Sequence, residues 1–189
     1  RTPLWVKGRV TLMTPAPADD RLNLMAQETI WALSLEPGLA RAMAEGLLRL
    51  IGPANRAGLN TYIDQVHQAA KTGPTLARLL ALHLPAVLLA DPPLVERFAT
   101  CLSVMRGKGT YTLSEPLAVL SELLNAGERD AAEAYLDLLV AVFGQALTYN
   151  QSVRLVYVIP QAVRGFTARR RRAQIEALHR VVATDLQLT

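Results

Sequence analysis

At 189 residues the chain has the length of one ordinary domain, enough to bury roughly two thirds of its unfolded surface without disulfides or metals. With 51% hydrophobic and 19% charged residues it falls outside the disordered class, and with 5% aromatics among abundant Leu and Ala it reads as all-α. The formal net charge is +4, and a single cysteine, Cys101, excludes an internal disulfide; its neighbours Phe98, Leu102 and Met105 point to a buried thiol in a reducing, cytoplasmic compartment.

Residues 1–18 differ from the rest. "LWVKGRVTLM" alternates around Lys7-Gly8 and "TPAPADD" adds two prolines, which predicts an extended arm or small hairpin ahead of one helical domain over 19–189. The chain opens at Arg1 with no signal-peptide pattern and reads as processed or cut from something longer. Asp19 and Asp20 favour a helix start; Leu22, Ala26, Ile30 and Leu33 form one apolar stripe and Leu24, Trp31 and Leu35 a second, so this helix is expected to be covered on two sides and to stop at Pro37-Gly38.

Breaks then recur at Gly52-Pro53, Gly73-Pro74, Asp91 to Pro93, Gly107 to Gly109, Asn125 to Gly127 and Gly165 to Thr167, giving about eight helices in stacked antiparallel pairs. The longest uncharged apolar run, Leu79 to Ala90, has 12 residues, short of the roughly 20 a bilayer requires, so no membrane insertion is expected. In "LSEPLAVLSELL" Leu113, Leu117, Leu120 and Leu124 share a face, with Ser114 as cap and Pro116 in the first turn. The next helix carries two stripes, Tyr135, Leu138, Val142 and Leu136, Leu139, Phe143, and is expected to lie between neighbours. "VRLVYVIP", Val153 to Pro160, fits a buried strand or a buried helix by periodicity; its helical surroundings favour a helix kinked at Pro160.

Two segments, "LPAVLLADPPLVERFA" and "EPLAVLSELLNAGERDAAEAY", share an early proline, a turn, and an arginine near the start of the second helix. Pro85 and Pro116 lie 31 apart and Arg97 and Arg129 32 apart. This resembles the helix-turn-helix unit of HEAT-type solenoids, at a spacing nearer the ~34 of tetratricopeptide units. The resemblance covers about a quarter of the chain and implies an α-solenoid; a non-repeating helical bundle is the alternative architecture.

Little in the sequence points to catalysis. His67, His83 and His179 have no i, i+4 partner and Cys101 no ligand partner, so no metal site, cofactor or catalytic residue is assigned. The loop "MRGKGTYT" could cradle a phosphate, but Gly107 as a left-handed helix stop and Gly109 as a turn explain it better. Glu28, Glu45, Glu122 and Asp137 fall on separate helices and read as solvated carboxylates.

The positive charge is concentrated. Residues 154–180 hold seven arginines against Glu176, a net +6, while residues 1–153 hold 13 basic and 14 acidic groups. In the last helix Ile175, Leu178 and Val182, extended by Leu186, form the buried stripe; Arg171 and Arg172 verge on it, Arg169 and Arg170 point to solvent, and Glu176 can pair with Arg172 and Arg180. Arginines at a helix start oppose its dipole. The expected function is therefore a non-enzymatic protein-interaction or assembly scaffold whose partner-binding residues, Arg164, Arg169, Arg170, Arg171, Arg172 and Arg180, meet an acidic protein surface. Carboxylates elsewhere in the chain are the structural counterpart of that reading, a nucleic-acid-binding helical domain using the same arginines is the alternative, and an enzyme with a pocket between helices is the third class.

Overall fold

Proline and glycine set most of the helix limits in this computed structural model, which describes residues 4–6, 9–11, 20–51, 56–90 and 92–185. The protein is all-α, with nine α-helices among the described residues: α1 Asp20–Leu35, α2 Pro37–Ile51, α3 Arg56–Thr72, α4 Pro74–Leu88, α5 Pro92–Arg106, α6 Ser114–Asn125, α7 Arg129–Phe143, α8 Tyr149–Gly165 and α9 Arg171–Asp185. Short 3₁₀ turns at Thr110–Thr112 and Ala168–Arg170 precede α6 and α9. Leu4–Val6 and Arg9–Thr11 pair antiparallel, Leu4 opposite Thr11 and Val6 opposite Arg9. The Pro-containing link up to Asp19, the Gly52-Pro53 break, Asp91 and Leu186 lie outside the described residues. By their contacts the residues group into two compact units, Arg1–Pro85 and Ala86–Thr189.

Several local expectations need correction. Pro37-Gly38 opens α2 instead of merely ending α1: only Glu36 separates the two helices, its N–H donating to Ala32 and its carbonyl accepting from Ala40. Proline suits the first helical position, where its missing N–H has no ladder partner to lose. Ser114 does not cap α6. Leu113 stands at the N-cap in helical geometry without any side-chain cap bond, because the chain arrives already coiled from the 3₁₀ turn and Leu113 itself is fully buried. The positive-φ glycine of the "MRGKGTYT" loop is Gly109, at φ +108°, not Gly107. Both stripes of α1 are also less covered than expected: Leu22 and Leu33 of the first and Leu35 of the second are about half exposed or more.

In the first unit α1 packs on α2 and α2 on α3, around Leu39, Met43, Leu47, Leu50, Tyr62, Leu76 and Leu80, all fully or almost fully buried. In the second unit α5, α7 and α9 pack in succession, α6 packs on α8, and α6 meets α7 across the two rows. α7 is thus enclosed, burying Tyr135, Leu138, Val142 and Phe143. Val153 to Pro160 is helical: α8 runs unbroken through Pro160, started by a capping box in which Thr148 and Gln151 satisfy each other's backbone N–H groups.

Candidate functional site

Local backbone devices aim the carboxylates of the second unit at the C-terminal arginines. α6 ends in a Schellman cap, Gly127 at φ +74° with its N–H on Leu124 and the Glu128 N–H on Leu123. This tight stop leaves Glu128 at the N-cap of α7, where its negative charge suits the helix dipole. Arg171, the first residue of α9, donates through Nη1 to both Glu128 oxygens at 2.6 and 2.7 Å and through Nη2 to the Phe166 carbonyl at 3.1 Å. Both side chains are about four-fifths buried, at 18% and 21% exposure.

Arg164, at the end of α8, closes a second cluster. It donates to Glu122 through Nε and Nη2, at 3.0 and 2.8 Å, and to Glu115 through Nη1 at 2.7 Å. These two carboxylates, Glu122 first, raise the guanidinium above its already high ordinary pKa. Arg172 donates to Glu176 at 2.8 Å and to Asp130 at 3.0 Å. It lies on the rim of an ionic groove of about 170 Å³ between α5, α7 and α9, which Arg97 and Asp137 line with a pair at 2.6 Å and to which His179 adds its ring.

The six arginines singled out by sequence therefore divide. Arg164, Arg171 and Arg172 are held by carboxylates of α6, α7 and α9, and Arg180 is also engaged within the chain. Arg169 and Arg170, in the 3₁₀ turn before α9, are exposed and make no ion pair among the described residues. Arg154, on the outer side of α8, is in the same state and was not among the expected partner-binding residues. Its sequence signal was present: no Asp or Glu occurs between Tyr149 and Arg170.

Other reactive groups are committed to the fold. Lys108 of the glycine loop donates to the Gln145 carbonyl at 2.7 Å, tying that loop to the α7–α8 connection. Burial, with a smaller push from Asp137, raises the Cys101 thiol to about 12. Glu28 is not the solvated carboxylate expected: it is 4% exposed and lies 2.5 Å from Nε2 of His67, whose ring stacks on Trp31 at 3.8 Å. This cluster ties α1 to α3, and no spacing in the sequence announces it, since the partners are 39 positions apart. Among the described residues no group of three His, Cys, Asp or Glu could hold a metal ion, and no helix is long and apolar enough to cross a membrane. No family model, no curated protein and no solved structure matches the chain.

Proposed function

We propose that this protein is a non-enzymatic interaction or assembly module, built as an α-solenoid, whose exposed Arg169–Arg170 edge meets an acidic surface on a partner protein. The observation that carries the reading is the division among the arginines. Neighbouring side chains neutralise Arg164, Arg171 and Arg172, yet two adjacent cations remain uncompensated at a helix start, where each costs on the order of 0.3 to 1 kcal/mol. An anion from outside relieves that cost.

Two features support the solenoid. Alternate helices stack, α5 on α7 on α9 and α6 on α8, the two-layer order of a helical repeat. Most long-range Arg–carboxylate pairs also recur at similar separations, 42 for Glu36–Arg78, 40 for Arg97–Asp137, 42 for Glu122–Arg164, 43 for Glu128–Arg171 and 42 for Asp130–Arg172, with Glu115–Arg164 at 49 outside the series. Such an offset fits a HEAT-type unit of about 40 residues better than the 31 and 32 positions that separate Pro85 from Pro116 and Arg97 from Arg129. Such a stack offers an extended surface and needs no reactive group.

The test compares two substitutions. Arg169→Gln/Arg170→Gln should leave Tm unchanged or raise it by up to about 4 °C by relieving the dipole conflict. Arg171→Gln should lower it by roughly 4 to 8 °C, because it strands the largely buried Glu128 at a cost of about 2 kcal/mol. A fluorescent polyglutamate peptide should bind the parent chain, more weakly at about 300 than at 50 mM salt, and lose most of that binding in the Arg169/Arg170 variant. Equal binding by parent and variant would remove the arginine edge. Duplex DNA and single-stranded RNA bound with a steep salt slope, and tighter than polyglutamate, would point to nucleic acid instead.

A further inference from the structure

We propose that the outer face of α8 is the docking site for a partner helix, one that carries acidic residues at both ends of an apolar stripe. This deepens the interaction-module reading and rests on it.

α8 turns Ser152, Val156, Ile159, Pro160 and Val163 inward, against α6 and the 3₁₀ turn before it. The opposite side carries Arg154, Tyr157, Val158 and Gln161, which recur at i, i+3, i+4 and i+7. That is the spacing by which one helix packs on another, and among the described residues nothing packs on it: Tyr157 is 53% and Val158 58% exposed. Tyr149, at the start of the helix, lies off this face, on the stripe of Val156 and Pro160, and leans on the ring of Tyr111 at 5.3 Å. Tyr and Arg are enriched in the cores of protein interfaces, Tyr because it presents a large contact area at low rotamer cost and Arg because its planar guanidinium donates several hydrogen bonds at once.

Charge selects the occupant. From Tyr149 to Arg170 the chain has no acidic residue. Arg164 is already paired to Glu115 and Glu122, which leaves Arg154 uncompensated on this face and Arg169 and Arg170 just beyond its C-terminal end. A complementary helix places carboxylates against these cations and apolar side chains against Tyr157 and Val158. At 17 residues α8 matches a partner helix of about 25 Å. Single-stranded nucleic acid also uses arginine and aromatic surfaces, but it requires a basic track. Residues 86–189 carry 11 basic against 10 acidic groups, and the centre of this face is the aliphatic Val158.

The experiment selects peptides of about 17 residues from a random display library on the whole 189-residue chain. The winners are then titrated by fluorescence anisotropy against the parent, Tyr157→Ser/Val158→Ser, Arg154→Gln, and Arg169→Gln/Arg170→Gln, with oligo-dT as competitor. Selected peptides are expected to be acidic, with apolar residues at i, i+3 or i+4, and i+7, and to gain helical circular dichroism on binding. The Tyr157/Val158 variant should bind them about tenfold more weakly or worse, and Arg154→Gln several-fold more weakly with a flatter salt dependence. Both altered side chains are more than half exposed, so the Tyr157/Val158 variant should keep the parent's Tm; if it does not, the Tyr157→Ser and Val158→Ser single variants replace it. Acidic peptides that still bind this variant but not the Arg169/Arg170 variant would overturn the α8 face and leave the arginine edge standing. Basic winners, the absence of any binder, or displacement by oligo-dT would overturn both.

Discussion

Cys101 shows how completely one side chain can be removed from chemistry by its surroundings. It is 3% exposed, its thiol pointing at the Met105 sulfur at 3.7 Å. Burial raises its pKa from an ordinary 9.0 to about 12, so the thiolate is scarce at neutral pH. A thiol reagent at pH 8 should label the folded protein far more slowly than the urea-unfolded chain; equal rates would mean that the site opens readily. The same shift fixes the sign of a stability change. The folded state holds the proton up to about pH 12, whereas the unfolded thiol releases it near 9, so this contribution is complete below pH 9 and falls as pH rises between the two values. Tyr62 and Tyr135, whose phenols are also raised by burial, act in the same direction at higher pH. Urea melts across this range should show stability declining, and Cys101→Ala should decline less steeply over the first part of it.

At the scale of elements, the junction of α2, α3 and α4 turns on Pro85. A proline has no N–H, so the carbonyl four residues earlier, that of the fully buried Ala81, lacks its ladder donor. The Tyr62 hydroxyl of α3 supplies it, donating to the Ala81 carbonyl at 3.1 Å. Gly46 of α2 makes room for that hydroxyl: a Cβ there would strike it and would lie 2.9 Å from the same carbonyl. Tyr62→Phe should therefore cost about 1 to 3 kcal/mol by leaving a buried acceptor unsatisfied. Tyr135→Phe should be neutral or stabilising, since the Tyr135 hydroxyl is buried with no hydrogen-bond partner among the described residues. Gly46→Ala should cost about 1 to 3 kcal/mol as overpacking. The double variant with Tyr62→Phe should cost less than the sum of its parts; strict additivity in chemical denaturation would sever the link. Little of this was legible from the sequence. The Gly and Pro punctuation and the leucine stripes of α6 and α7 gave most helices, because those signals are local. Pro37 was ambiguous since proline both ends and begins helices, and Ser114 lost its cap because the preceding 3₁₀ turn, weak in sequence, had already wound the chain.

At the scale of the molecule, charge and packing follow different rules of legibility. The sequence located the cations, and local i, i+4 logic found Arg172–Glu176, but the carboxylates that neutralise Arg164 and Arg171 lie 42 to 49 positions away and become neighbours only when helices stack. The excess of +6 in one segment therefore shrinks in the fold to a few uncompensated arginines. Packing divides in turn. Leu39, Met43, Leu47, Leu76 and Leu80 fill the core of residues 1–85, whereas Leu94, Met105, Leu113, Leu138 and Phe143 fill that of residues 86–189. The division falls in the last turn of α4, at Pro85, where one ladder bond is already missing. Cores filled by separate sets of side chains open separately when each is weakened. Leu80→Ala and Leu138→Ala, both at fully buried positions, should each cost about 2 to 5 kcal/mol. In native-state hydrogen exchange read by mass spectrometry, Leu80→Ala should first raise exchange in peptides from residues 20–85, and Leu138→Ala in peptides from 92–185. Uniform acceleration along the whole chain by either substitution would mean that the two cores unfold as one, and the division at Pro85 would then have no thermodynamic counterpart.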